Sequence, residues 1–90
     1  MSIKVNILPY FQYLTGGKSV VQVEGGTVAQ CLDDLTNQFP GARTVLLDEN
    51  GALLGYVDVY VNGESSYAEG LTKPVREGDE LLLIMLIDGG

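Results

Sequence analysis

Ninety residues with a hydrophobic fraction of 46% make one small domain, residues 1–90, with room for one modest core and no linker, repeat or low-complexity segment. Five Lys and Arg stand against twelve Asp and Glu, a formal charge of −7 that disfavours nucleic acid and anionic membrane surfaces and suits either plain solubility or a basic protein partner. One cysteine and no histidine exclude an intrachain disulfide, Ser-His-Asp and Cys-His catalysis and histidine-based zinc sites.

The start carries no basic segment followed by an apolar one, and the longest apolar run, residues 81–87, is far too short to cross a bilayer. A cytoplasmic protein is the expectation. Ile3-Lys4-Val5-Asn6-Ile7 alternates apolar and polar and predicts a half-buried strand with Ile3, Val5 and Ile7 facing the core. Pro9 limits its ladder. Tyr10-Phe11-Gln12-Tyr13-Leu14 then connects to the Thr15-Gly16-Gly17-Lys18 turn, its aromatics expected at a core edge, with exposure to a partner as the alternative. Residues 19–24 are β-branched and bounded by glycines, a second strand that closes a hairpin with the first.

At Gly25-Gly26-Thr27 the period changes. Val28, Cys31, Leu32, Leu35 and Phe39 form a helical stripe, Thr27 is a good N-cap, Gln30 completes a capping box, and Pro40-Gly41 ends the helix. Asp33 and Asp34 fall on its polar side. Cys31 lies on the apolar stripe and is expected to be a small core residue rather than a nucleophile. Val45-Leu46-Leu47 is a short apolar run before Asp48-Glu49-Asn50-Gly51, whose spacing does not match a twelve-residue calcium loop and predicts a plain turn. No metal site is expected.

Residues 56–61 alternate cleanly, with Val57, Val59 and Val61 on one side and Tyr56, Asp58 and Tyr60 on the other. Asn62-Gly63 is a strong two-residue hairpin signal, and residues 64–68 return as a short polar edge strand. An acidic turn, Glu77-Gly78-Asp79-Glu80, leads into a final strand over residues 81–87 that is apolar on both sides and therefore belongs in the middle of the sheet, parallel to the first.

This order predicts an α+β, β-grasp (ubiquitin-like) domain: a mixed sheet of four to five strands with one main helix on one face. A single helix covers a single face. Leu82, Ile84 and Leu86 face opposite to Leu81, Leu83, Met85 and Ile87, so one of these rows lacks a helix. With Leu8 nearby, and Tyr56 and Tyr60 further candidates, that row is expected to dock a partner, the alternative being that residues 10–14 fold over it.

The chain ends in Asp88-Gly89-Gly90, expected to be a flexible tail. A terminal carboxylate is ionised at neutral pH and must be activated before it transfers anything, most simply as an acyl-adenylate. Glycine leaves the carbonyl open to attack and lets an extended tail thread a narrow channel. Ile3-Lys4-Val5, Gly26-Thr27-Val28, Val61-Asn62-Gly63-Glu64, residues 75–81 and above all the closing Gly89-Gly90 give a sequence that resembles the sulfur carriers of the molybdopterin synthase small-subunit and ThiS type, relatives of ubiquitin-like modifiers. The resemblance implies a carrier that is not itself an enzyme and binds no cofactor. An E1-like enzyme using ATP-Mg would adenylate Gly90, a sulfur donor would convert it to a thiocarboxylate, and a sulfur-accepting enzyme, such as a molybdopterin synthase large subunit, would take the sulfur.

By the same resemblance Gly90 carries the sulfur, Gly89 gives reach, and Leu82, Ile84, Leu86 and Leu8 dock the partners. The pterin is the first expected acceptor; thiazole, cysteine and a thiolated tRNA base are the others. Leu86-Ile87-Asp88 departs from the prolines and small residue that precede Gly-Gly in many molybdopterin-type carriers, and Asp88 calls for a basic residue in the partner's channel. Two other readings stand beside this one: a protein modifier joined to lysine through Gly90, and a plain interaction module.

Overall fold

The computed structural model describes residues 2–86. Five strands, β1 (Ser2–Ile7), β2 (Val20–Glu24), β3 (Val57–Val61), β4 (Glu64–Ser65) and β5 (Glu80–Met85), form one sheet in the order β2-β1-β5-β3-β4. The main helix, α1 (Val28–Gln38), packs on one face, and a single further turn, α2 (Arg43–Leu46), follows it. This is the expected β-grasp, with β5 at the centre, parallel to β1 and antiparallel to β3.

The register explains the core. β1 sets Val5 beside Leu81 and Ile7 beside Leu83, and β3 sets Val59 beside Leu83 and Val61 beside Leu81. These residues, with Ile3, Val21 and Val23, are buried against Val28, Cys31, Leu32 and Leu35 of α1. Each such aliphatic side chain contributes about 1.5–3 kcal/mol by leaving water. Burial also settles Cys31: removal from water, reinforced by the Asp34 carboxylate, pushes its thiol up to about 11, so it stays protonated and inert at neutral pH.

The helix begins as its sequence requires. Thr27 Oγ1 accepts the Gln30 N–H at 3.2 Å, and Gln30 Oε1 accepts the N–H of Gly26, one residue ahead of the cap. Asp34 ties the helix to the sheet by accepting the Glu24 N–H at 2.8 Å. Gly25 lets the two approach, since a Cβ there would lie 2.8 Å from the Cys31 nitrogen. A feature with no signal in the periodicity is the segment at residues 73–75, which pairs with the helix entrance through Val28 N–H to Lys73 O and Val75 N–H to Gly26 O, both 3.0 Å.

The Asn62-Gly63 turn forms with both residues at positive φ, 50° and 86°. Asn62 fastens this turn to the start of β5: its Nδ2 donates to Asp79 Oδ1 at 2.9 Å and its Oδ1 accepts the Glu80 N–H at 3.0 Å.

Three expectations about the strands are corrected. The returning arm is paired only at Glu64 and Ser65, because the chain turns away into a short 3-10 segment, Gly70–Thr72. The last strand begins at Glu80 and ends at Met85, so Leu86 lies past it; Ile87 is outside the described residues. The strand is also not buried on both faces: Leu81 and Leu83 are sealed, while Leu82 and Ile84 remain half-buried, because α1 covers only one side.

Candidate functional site

The end of β5 and the uncovered face of the sheet form the candidate site. Both follow from the register. β1 and β5 run parallel, so the chain leaving β1 and the chain leaving β5 emerge on the same edge of the domain. Pro9–Thr15, the first segment after β1, winds into a 3-10 helix whose Phe11 is fully buried while Tyr10 and Tyr13 stay exposed. The three aromatics therefore divide: Phe11 joins the core, and the two tyrosines face water.

Tyr10 reaches across this edge. Its hydroxyl accepts the Met85 N–H at 3.1 Å, and its ring lies against Phe11 with centroids 4.9 Å apart. From the other side the Tyr56 carbonyl accepts the Leu86 N–H at 2.6 Å, and the Tyr56 hydroxyl donates to Val45 O at 3.0 Å. Two tyrosines thus grip the last two described residues, each anchored in an element packed on the core. Pattern reasoning placed Tyr10 at a core edge and Tyr56 on a sheet face and missed this grip. The parallel pairing of β1 with β5 was the available signal, since it brings the residues after β1 beside the end of β5.

On the uncovered face the residues fall into rows across the sheet. Gln22, Lys4 and Glu80 form one row and Val20, Asn6, Leu82 and Tyr60 the next. Ile84 and Asp58 follow, then Leu86 beside Tyr56. Leu8 continues the parity of Asn6 and is half-buried. The face is polar where β5 begins and apolar where it ends. Leu82 and Ile84 are half-buried, Leu86 is 44% exposed and Val20 47%. The 3-10 segment does not seal this row. Gly90, Gly89 and Asp88 lie outside the described residues.

One residue breaks the pattern. Asp58 shares the open face with Ile84 yet is only 6% exposed. Its Oδ2 accepts the Ser65 hydroxyl at 2.6 Å and its Oδ1 accepts the Val59 N–H at 2.8 Å. Alternation assigned Asp58 to the outer side but carried no sign that the edge strand would fold over it.

Among the described residues no cluster of carboxylates and thiol has the arrangement to hold a metal ion, and no helix is long and apolar enough to cross a membrane.

Comparison with known proteins agrees with this geometry. The model of the ThiS family matches residues 5–90. The sulfur carrier protein CysO of Mycobacterium tuberculosis is 29% identical over 93 residues, an alignment that covers both chains completely. Among solved structures, a chain of the Amycolatopsis orientalis BexX/CysO complex superimposes with a TM-score of 0.88 at 31% identity, over 98% of this chain and 99% of that one. SAMP1 from Haloferax volcanii does so with a TM-score of 0.85 at 26% identity, over the whole of both chains.

Proposed function

The chain belongs to the ThiS family, and on that premise we propose that it is a sulfur carrier, loaded and unloaded at Gly90 by partner enzymes and not itself catalytic. The observation that carries this reading is the held end of β5: a central strand whose last described residues, Met85 and Leu86, are gripped by Tyr10 and Tyr56 just ahead of Gly89-Gly90. The family match also runs through those two glycines.

The chemistry needs little from the chain. The Gly90 carboxylate attacks the α-phosphate of ATP bound to an E1-like enzyme, and pyrophosphate leaves. A sulfide-level sulfur nucleophile then attacks the acyl carbon, and AMP leaves with the bonding electrons, giving the thiocarboxylate. Gly90 is the acyl carrier, Gly89 supplies reach, and Asp88 meets a basic residue in the partner channel. Leu82, Ile84, Leu86 and Leu8, the apolar end of the open face, dock the activating and accepting enzymes. A partner protein is the fitting occupant because a half-exposed apolar row beside the reacting tail lets docking and tail insertion occur together.

CysO is described as a sulfur carrier protein, which supports the sulfur chemistry and gives the pterin acceptor no precedence over cysteine, while SAMP1 is described as a small archaeal modifier protein, which keeps the modifier reading as the alternative. The test is co-expression with the activating enzyme followed by intact-mass analysis. A gain of one oxygen-to-sulfur exchange, mapped to Gly90, is expected. Recovery of unmodified chain alone sinks the reading, and a ladder of lysine-linked conjugates that disappears on deletion of Gly89-Gly90 replaces it with a protein modifier.

A further inference from the structure

Beside the base of the tail lies a cavity of about 380 Å³ that sulfur transfer at Gly90 does not use. It opens where β4 stops after two residues and leaves the start of β3 without a strand partner on that side. Leu53, Leu54, Leu71 and Leu86 form apolar walls; Asp58 and Ser66 belong to its lining. Tyr67, 84% exposed, stands at the same opening.

Two features make it more than a gap in packing. Ser66 is completely buried, and its hydroxyl has no hydrogen-bond partner in the protein, which is costly for a polar group out of water. Asp58 is a buried carboxylate satisfied by two neutral donors, and among the described residues it takes part in no ion pair. Each carboxylate oxygen retains capacity for a further donor.

We propose that this cavity receives a basic side chain, arginine or lysine, from the enzyme that acts on the tail. The alkyl stem lies along the leucine walls, the cationic head pairs with Asp58, and the Tyr67 ring offers its face at the mouth. A donor brought to this lining gives the Ser66 hydroxyl a partner once its rotor turns. Charge selects this occupant over the chain's own tail, since the tail brings Asp88 and the Gly90 carboxylate towards Asp58, and like charges repel. It also agrees with the formal charge of −7, which steers basic surfaces inward. The proposal rests on the carrier reading for the identity of the partner, and the pocket itself is measured separately.

The measurement is an amide-resonance titration of the full 90-residue chain with N-acetyl-arginine methylamide, and in parallel with the norleucine methylamide as an uncharged stem of similar length. The arginine compound is expected to shift Asp58, Ser66, Tyr67 and Leu71 saturably and to bind about tenfold more tightly than the norleucine compound. Asp58→Asn should erase that preference. Gly55→Phe tests the cavity without removing a buried polar group: Gly55 belongs to the lining and a Cβ there meets nothing within 4 Å, so the fold accepts a ring at the rim, and both compounds should lose binding while the melting temperature holds. Equal or tighter binding of norleucine overturns the proposal, as does absence of saturable shifts with arginine or a preference that survives in Asp58→Asn. With the activating enzyme present, Asp58→Asn should slow sulfur loading about tenfold without moving it from Gly90. If no sulfur is ever gained at Gly90, the carrier reading fails while the titration still decides the pocket.

Discussion

The covered and open faces of the sheet are built from alternate residues of the same strands, yet they obey different rules. Beneath α1, Val5, Leu81, Leu83 and Val59 are sealed, and each is held by neighbours on every side. Opposite them, Asn6, Leu82, Ile84 and Tyr60 are only half-buried. The first face is set by packing density, where a missing methylene is felt. The second is graded along its length, polar at Lys4, Gln22 and Glu80 and apolar at Leu82, Ile84 and Leu86. On the proposed carrier reading, the apolar end at Leu82, Ile84 and Leu86 is the part that would dock a partner.

The sharpest way to test the contrast is to truncate neighbours on β5. Leu83→Ala should cost about 2–5 kcal/mol in urea unfolding, because it opens a cavity in a sealed core. Ile84→Ala, one residue on, should cost about 1 kcal/mol or less yet depress sulfur loading at Gly90 more than Leu83→Ala does at temperatures where both are folded. Equal stability losses would erase the distinction between the faces.

Gly25→Ala probes the covered face from the helix side. Its new methyl meets the Cys31 nitrogen and Sγ at 2.8 and 3.0 Å, so α1 must move off the sheet, at a cost of about 1–3 kcal/mol in the same unfolding measurement.

At the tail end of the site, Tyr10→Phe removes only the acceptor for the Met85 N–H. A loss of about 0.5–1.5 kcal/mol is expected, together with faster amide exchange at Met85 and unchanged exchange at Leu83. Uniformly faster exchange along β5 would show that Tyr10 supports the whole strand rather than its end.

The smallest effect belongs to the far, polar end. Hydrogen bonds from Asn62, and then from the Arg76 backbone, hold the Asp79 carboxyl below its usual 3.8. A carboxyl lowered in the folded state contributes stability above its unfolded pKa, and that contribution is lost as pH falls through the folded value. Asn62→Ala should therefore narrow the difference in stability between pH 5 and pH 2, measured by thermal melting, and leave the open face's docking unaffected.

Much of the fold was legible because its cues are local. Alternation marked β1 and β3, β-branched residues between glycines marked β2, the period change at Gly25-Gly26-Thr27 marked α1, and Asn62-Gly63 marked its turn. The two-sided apolar run placed β5 at the centre, and the same alternation separated Leu82, Ile84 and Leu86 from the core row. Three features escaped. The grip of Tyr10 on Met85 joins a side-chain hydroxyl to a main-chain N–H 75 positions away, and the contact of residues 73–75 with the start of α1 joins backbone groups 45 and 49 positions apart; in both, at least one partner is a main-chain group that every residue carries, so residue type gives no local cue. The burial of Asp58 depended on a neighbouring edge strand that pairs at only two positions before the chain turns back over it.

The sequence by itself determined which residues seek the core, where the chain turns, and that two glycines follow the last apolar run within three residues; these follow from side-chain chemistry and short-range period. Only the tertiary structure decided which apolar row stays open, what holds the end of β5, and that a carboxylate and an unpartnered hydroxyl share a cavity beside it. Those outcomes depend on which distant segments come to lie together, and main-chain hydrogen bonding and packing settle that only once the whole sheet has formed.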